Sequence, residues 1–176
     1  MEAWAKTQAE IADAIVSQGW SDRLGAFTQS FGSDDLDASN LMMPLVGFLP
    51  VGDKRVLATI EATEAHLTDG RGLVRRYRAA DGLSGDEGAF LLCTYWLAQA
   101  LARSGQPERA TKVFERTLPF VNDVGLLSEE VDTATGELLG NYPQALSHIG
   151  LVNAAWDISQ ARSSSPTETA SEGKKT

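Results

Sequence analysis

The chain has 176 residues, enough for one domain, and 43% of them are hydrophobic, enough to bury a core. Its 15 lysines and arginines stand against 24 aspartates and glutamates, a net charge of -9. Nucleic acid and anionic membranes are repelled by such a surface, whereas a neutral or cationic small ligand is admitted.

Six helical stretches follow in chain order. The first, from about Glu2 to Ser17, carries an apolar stripe on Trp4, Ile11 and Ile15 and polar residues elsewhere, the mark of a one-sided helix. Its acidic, amphipathic start, MEAWAKTQAEIADAIV, does not read as a secretory signal. No apolar run in the chain reaches the length of a bilayer span. The second stretch, DASNLMMPLVGFL, is apolar nearly all round, with Pro44 expected to kink it or reset its start. The third, Asp53 to Leu67, is amphipathic, with Val56, Ile60 and Leu67 on one side. The fourth, EGAFLLCTYWLAQALARSG, is apolar on every face and stops at Gly105. Pro107 opens the fifth, PERATKVFERTLPF, which faces Val113, Phe114 and Leu118 inward. Pro143 opens the sixth, YPQALSHIGLVNAAWDIS, which is again largely apolar. Residues 1–160 are expected to form the folded unit. The tail from Ala161, ARSSSPTETASEGKKT, lacks apolar residues beyond alanine and is expected to be disordered.

One-sided and all-round apolar helices therefore alternate. A helix apolar on all faces must be enclosed by others. The apolar ones recur at roughly fifty-residue intervals, as in an array of helical hairpins. Two all-α architectures fit: half of a six-hairpin α/α toroid, with apolar helices in the inner ring, or a superhelical solenoid of three hairpins. The loops before the apolar helices, SFGSDDLD, GRGLVRRYRAADGLSGDE and GLLSEEVDTATGELLGNYP, would gather at one end of a toroid, where sites are commonly built.

Each notable group in these loops has a plain and a functional reading. In an extended segment Glu129 and Glu130 point to opposite sides, so one of them at most faces a cleft. Seated on Leu126 and Leu127, that carboxylate can act as a general base; otherwise the pair belongs to a solvated acidic hairpin. In RRYR, Arg76 can donate to sugar hydroxyls or pair with facing acids, whereas Arg75 and Arg78 read as surface charges. Ser33 or Asp34 suits the cap of the second helix, leaving Asp37 to reach the cleft or buttress a loop. Tyr95, Trp96 and Trp156 are either core or stacking residues, and Tyr142 beside the loop end is a better stacking candidate. His66 and His148 lie apart with no zinc spacing, and VDTATGEL fits no calcium loop because Val131 would hold the first ligand position. No phosphate-cradling glycine pattern or nucleophile elbow is present, so neither metal nor cofactor is expected. The single cysteine, Cys93, lies in an apolar run, which excludes a disulfide framework and fits a reducing compartment, the cytoplasm.

The segments SFGSDDLDAS, LMMPLVGFLP, DGLSGDEGAFLLCTYWL and DVGLLSEEVDTATGELLGNYPQALSHIGLVNAA closely resemble the C-terminal half of the catalytic domain of glycoside hydrolase family 15. That family holds glucoamylases, glucodextranases and bacterial trehalases, and the likeness runs from about Gly19 to Ala155. It implies an (α/α)6 toroid, here in part with about three hairpins and a short hairpin loop near 125–141. It also implies hydrolysis of α-glucosidic bonds with inversion, on an α-linked glucose oligosaccharide or trehalose. The family's general base follows an apolar pair in a Ser-Glu-Gln or Ser-Glu-Glu loop, so Glu129 matches the base. Arg76-Tyr77 matches its substrate-binding Arg-Tyr pair. Asp37 and Glu87 correspond to loop and helix-start positions at the cleft, and Glu130 and Tyr142 complete the substrate-binding candidates. The family's general acid lies in an upstream Trp-Glu motif that nothing here resembles. The resemblance thus implies a fragment with a base but no acid, silent alone and inclined to self-associate or to pair with a missing N-terminal half. A non-catalytic carbohydrate-binding, regulatory or interaction module is the alternative.

Overall fold

The computed structural model describes residues 2–78 and 88–164. Its elements run α1 (Glu2–Gln18), β1 (Trp20–Ser21), β2 (Ala26–Phe27), a 3-10 turn (Ala38–Leu41), α2 (Met42–Leu45), α3 (Lys54–Leu67), β3 (Ala89–Phe90), α4 (Leu91–Arg103), α5 (Pro107–Glu115), a second 3-10 turn (Leu118–Phe120), β4 (Glu130–Val131), β5 (Leu138–Leu139) and α6 (Ala145–Ser164). The fold is all-α in its mass. The strands are two-residue pairings that fix loops rather than build a sheet layer.

At the centre lies α4. Leu91, Tyr95, Leu97, Ala98, Leu101 and Ala102 are buried around its whole circumference, as an all-round apolar helix requires. It ends in a Schellman turn. The Gly105 N–H donates to the Ala102 carbonyl and the Gln106 N–H to the Leu101 carbonyl, with Gly105 at φ 80°. Pro107 then opens α5, where its missing N–H costs nothing. Arg109 ties α5 to α3 by donating to both Glu61 oxygens, at 2.6 and 3.0 Å, and to Glu64. Asp53 caps α3 by accepting the Arg55 N–H at 2.8 Å. Thr59 on α3 accepts the Phe27 N–H at 3.0 Å and so anchors the β1–β2 hairpin.

Against α4 lies α6, with Ser147, Gly150, Ala154 and Ile158 buried. The absence of a side chain at Gly150 allows the close approach. A Cβ there would sit 2.9 Å from Tyr95 Cδ2 and 3.0 Å from Leu92 Cδ1.

Several sequence expectations are corrected. The second helix is four residues long, not thirteen. Gly47 at φ 74° turns the chain and leaves Val46 exposed, while Pro44 is accommodated in the first turn. Its approach is capped by Asp37, whose carboxylate accepts the Ser39 N–H at 2.7 Å. Asp34 instead accepts hydrogen bonds from Ser21 and Arg23. The apolar stripe of α1 is uncovered, with Trp4 84% and Ile11 55% exposed, and Leu118 also faces solvent. The sixth helix is enclosed on one face only, so Leu146, Ile149, Val152 and Trp156 are exposed. Helix α6 continues through Ala161 to Ser164, and the rest of the expected tail lies outside the described residues.

The Gly150 contact is testable. A Gly150→Val substitution forces a branched side chain between α6 and the buried Tyr95 ring. Overpacking of this kind should cost about 2 kcal/mol and lower Tm by roughly 4–8 °C in thermal unfolding.

Candidate active site

The loop leading to β4 is held from beneath by the start of α6. Leu127 is fully buried; its N–H donates to His148 Nε2 at 3.2 Å and its carbonyl accepts the Gln144 N–H at 2.9 Å. Ser128 is also fully buried. Its hydroxyl donates to the Glu130 carbonyl, and its own carbonyl accepts the Ser147 hydroxyl, both at 2.7 Å. From there the chain enters an antiparallel ladder in which β4 is central. Glu130 stands opposite Phe90 on β3 and Leu139 on β5. Backbone pairing extends one residue back, with the Leu91 N–H donating to the Glu129 carbonyl at 3.1 Å and the Glu129 N–H to the Asn141 carbonyl at 3.0 Å.

Extended backbone sends successive side chains to opposite sides, and the two carboxylates separate accordingly. Glu130 turns back and accepts the Gly88 N–H at 3.1 Å. Glu129 lines a cavity of about 370 Å³ together with Arg76, Phe90, Leu92, Cys93, Trp96, Gln144, Leu146 and Ser147. One oxygen of Glu129, Oε2, accepts both the Asn141 backbone N–H at 3.0 Å and the Asn141 side-chain amide at 2.8 Å.

Arg76 reaches the same cavity from the loop before β3. Its position is set by backbone pairing, since the Ala38 N–H donates to the Arg76 carbonyl at 2.8 Å and Asp37 bridges Tyr77. Its guanidinium lies 3.8 Å from the Asp37 carboxylate and 5.8 Å from the Tyr77 ring centre. With the Arg76 side chain 51% exposed, this ion pair is a guide for the guanidinium rather than a large source of stability. Asp37 itself is buried. The Cys93 thiol on the cavity floor is pushed up to about 12, chiefly by burial and further by the negative charge of Asp37. It is a protonated apolar group and no nucleophile.

The structure thus brings Glu129, Arg76, Asp37 and Tyr77 into one neighbourhood, with Glu130 behind Glu129. Glu87 lies outside the described residues. Tyr142 is absent from the described cavity wall; its hydroxyl accepts the Asn122 side-chain amide. Trp96 lines the cavity, whereas Tyr95 is core and Trp156 faces solvent. Sequence reasoning missed Asn141 and the α6 residues Gln144 and Ser147. Their signal was position alone, since GNYPQALS follows the hairpin directly. Arg75 is also not a free surface charge, because it donates to Thr133 Oγ1 at 2.6 Å and with Arg71 grips the hairpin tip. Among the described residues, no group of three or more His, Cys, Asp and Glu could hold a metal, and no helix is long and apolar enough to cross a membrane.

The site is thus an apolar cavity with one arginine and one oriented carboxylate, set at the loop ends of paired helices. The family model for glycosyl hydrolases family 15 matches residues 1–156, and the chain belongs to that family. It is 38% identical over 161 residues to a trehalase of Thermoplasma volcanium, covering 92% of this chain and 26% of that protein. It is 42% identical over 163 residues to a trehalase of Mycobacterium tuberculosis, covering 91% of this chain and 24% of that one. The chain therefore spans about a quarter of the length of the curated relatives it matches. A solved glycosidase superposes with a TM-score of 0.74 at 25% identity, over 90% of this chain and 44% of that one. A bacterial glucoamylase complexed with acarbose shares the fold at a TM-score of 0.58 and 20% identity, over 74% of this chain and 21% of that one. The fold is accordingly a partial (α/α)6 toroid.

The hairpin beyond Glu130 carries a pH signature. Hydrogen bonds from the Thr135 and Ala134 N–H groups hold the Asp132 carboxyl below the ordinary carboxylate range. Their stabilising effect is complete above the unfolded carboxyl value and is lost as pH falls through the lower folded value. The Ala134 and Thr135 amide resonances should therefore hold steady through the ordinary carboxyl range and move only at more acidic pH. Asp132→Ala should abolish that movement, and a transition at the ordinary value would contradict the assignment.

Proposed function

We propose that the chain supplies the general base and part of the glucose-binding wall of an inverting hydrolase of α-glucosidic bonds, of trehalase type. The observation that carries this reading is that Glu129 and Arg76 line one cavity, with one Glu129 oxygen pinned. In this reading Glu129 takes a proton from a water whose oxygen attacks the anomeric carbon, and Arg76 donates to hydroxyls of the glucose held there. Trp96 offers a ring face to the sugar. Glu130 orients the loop, and Asp37 and Tyr77 aim Arg76.

Inversion needs an acid about 6.5–9.5 Å from the base to protonate the departing oxygen. Nothing in this sequence resembles the Trp-Glu motif that carries the family's acid, so we assign the acid to a segment other than this chain. A proton donor of this kind contributes about 10²–10⁴-fold in rate, and the chain alone is near silent in this reading. All the curated relatives named above are trehalases, which favours trehalose over starch-type oligosaccharides. We place the activity in the cytoplasm, where the one thiol stays reduced. A second reading, a non-catalytic interaction module, is favoured by the exposed apolar face of α6. It predicts concentration-dependent self-association in light scattering and no heat on titration with trehalose.

A segment swap tests the catalytic reading. This chain replaces the matching 163-residue stretch of the Mycolicibacterium smegmatis trehalase, to which it is 41% identical. The hybrid should hydrolyse trehalose, and Glu129→Gln within it should lower kcat by about 10²–10⁴-fold. Arg76→Ala should chiefly raise KM. Full activity in the Glu129→Gln hybrid refutes Glu129 as base, and clear turnover by the unfused chain refutes the assignment of the acid elsewhere.

A further inference from the structure

We propose that Asn141 is the positioning residue of Glu129, fixing Oε2 so that Oε1 is the oxygen presented to water. This rests on the reading of Glu129 as base. Three hydrogen bonds join the two residues. The Glu129 N–H donates to the Asn141 carbonyl, while the Asn141 N–H and side-chain amide both donate to Glu129 Oε2. Among the described residues nothing donates to Oε1. The carboxylate is thus held at one oxygen by two N–H groups from a single residue and left open at the other.

The neighbours of Asn141 make the clasp rigid. Gly140 sits at φ 72°, and a Cβ there would fall 2.8 Å from Oε2 and 2.9 Å from the Glu129 Cβ. Only a glycine lets the backbone close on the carboxylate in this way. On the far side, the Gln144 N–H donates to the Leu127 carbonyl at 2.9 Å, and Tyr142 accepts from Asn122. The segment bearing Asn141 is therefore tied to the segment bearing Glu129 before and after the clasp.

The residue type follows from the geometry. An aspartate at 141 would set an acceptor and a like charge against Oε2, and an alanine would keep the backbone donor but lose the amide. Misplacing a reacting group by about an ångström can cost on the order of 100-fold in rate, so a base aimed at water gains from a second donor.

Two measurements test the inference. In the full chain, Glu129→Gln should displace the Asn141 side-chain amide resonances in ¹⁵N NMR. Asn141 amide resonances left unmoved by Glu129→Gln overturn the clasp. In the trehalase hybrid, Asn141→Ala should lower kcat by roughly 10–100-fold with KM within about two-fold and Tm unchanged, the pattern of an interaction used in the transition state. Asn141→Asp, of the same shape but without the donor, should lose at least as much. If Glu129→Gln silences the hybrid while Asn141→Ala leaves kcat intact, the positioning role fails and the base stands. If Glu129→Gln leaves activity, the underlying reading fails first.

Discussion

The pairing of β4 between β3 and β5 is the constraint on which the site depends. Two adjacent glutamates in a free loop could both seek water. Once the Glu129 carbonyl accepts from Leu91 and the Glu129 N–H donates to Asn141, the strand period separates them. Glu129 goes to the cavity, and Glu130 goes back to the Gly88 N–H. Steric limits enforce the same division. A side chain at Gly88 would meet Glu130, and one at Gly140 would meet Glu129. The ladder is only two residues long in each strand, yet it orients both carboxylates.

That ladder is seated on the α4–α6 contact. Ser147 and His148, at the start of α6, hold the backbone of Ser128 and Leu127, while β3 runs directly into α4. The cavity lies against the starts of these two helices, walled by Phe90, Leu92, Trp96 and Leu146. Apolar walls lower the local dielectric and strengthen the few polar groups that reach inside. The close approach at Gly150 and the orientation of Glu129 are thus parts of one assembly.

The scarce positive charge is placed where acidic loops need it. Arg71 and Arg75 grip the hairpin tip through Thr133 and Ala134, Arg109 joins α5 to α3 through Glu61 and Glu64, and Arg103 on α4 reaches Asp157 on α6 at 2.9 Å. Arg76 differs from these. Its nearest carboxylate, on Asp37, is 3.8 Å away, and half its side chain is exposed at the cavity. That geometry leaves its donors available to a ligand.

Much of this was legible in the residues. The all-round apolar run of α4, its Gly105 stop and Pro107 at the start of α5 are local signals, because each answers to helix geometry and nothing else. The extended Leu-Leu-Ser-Glu-Glu order likewise showed that its two glutamates point to opposite sides, while the choice of Glu129 came from the family resemblance. Long-range packing decided the rest. Periodicity can show that α6 and α1 carry apolar faces, but whether a face is covered depends on what lies beside it, and Leu146, Ile149, Trp156 and Trp4 are not covered. The apolar run at 41–49 became a single turn because Gly47 took a left-handed conformation within its tertiary setting. Asn141 was invisible as a partner for Glu129, since it lies twelve positions further along the chain and only the closure of the hairpin brings a donor to that oxygen. Sequence by itself determined which residue types the chain could offer to a ligand; the tertiary structure decided which of them meet, because hydrogen bonds across a closed hairpin leave no periodic trace in the chain.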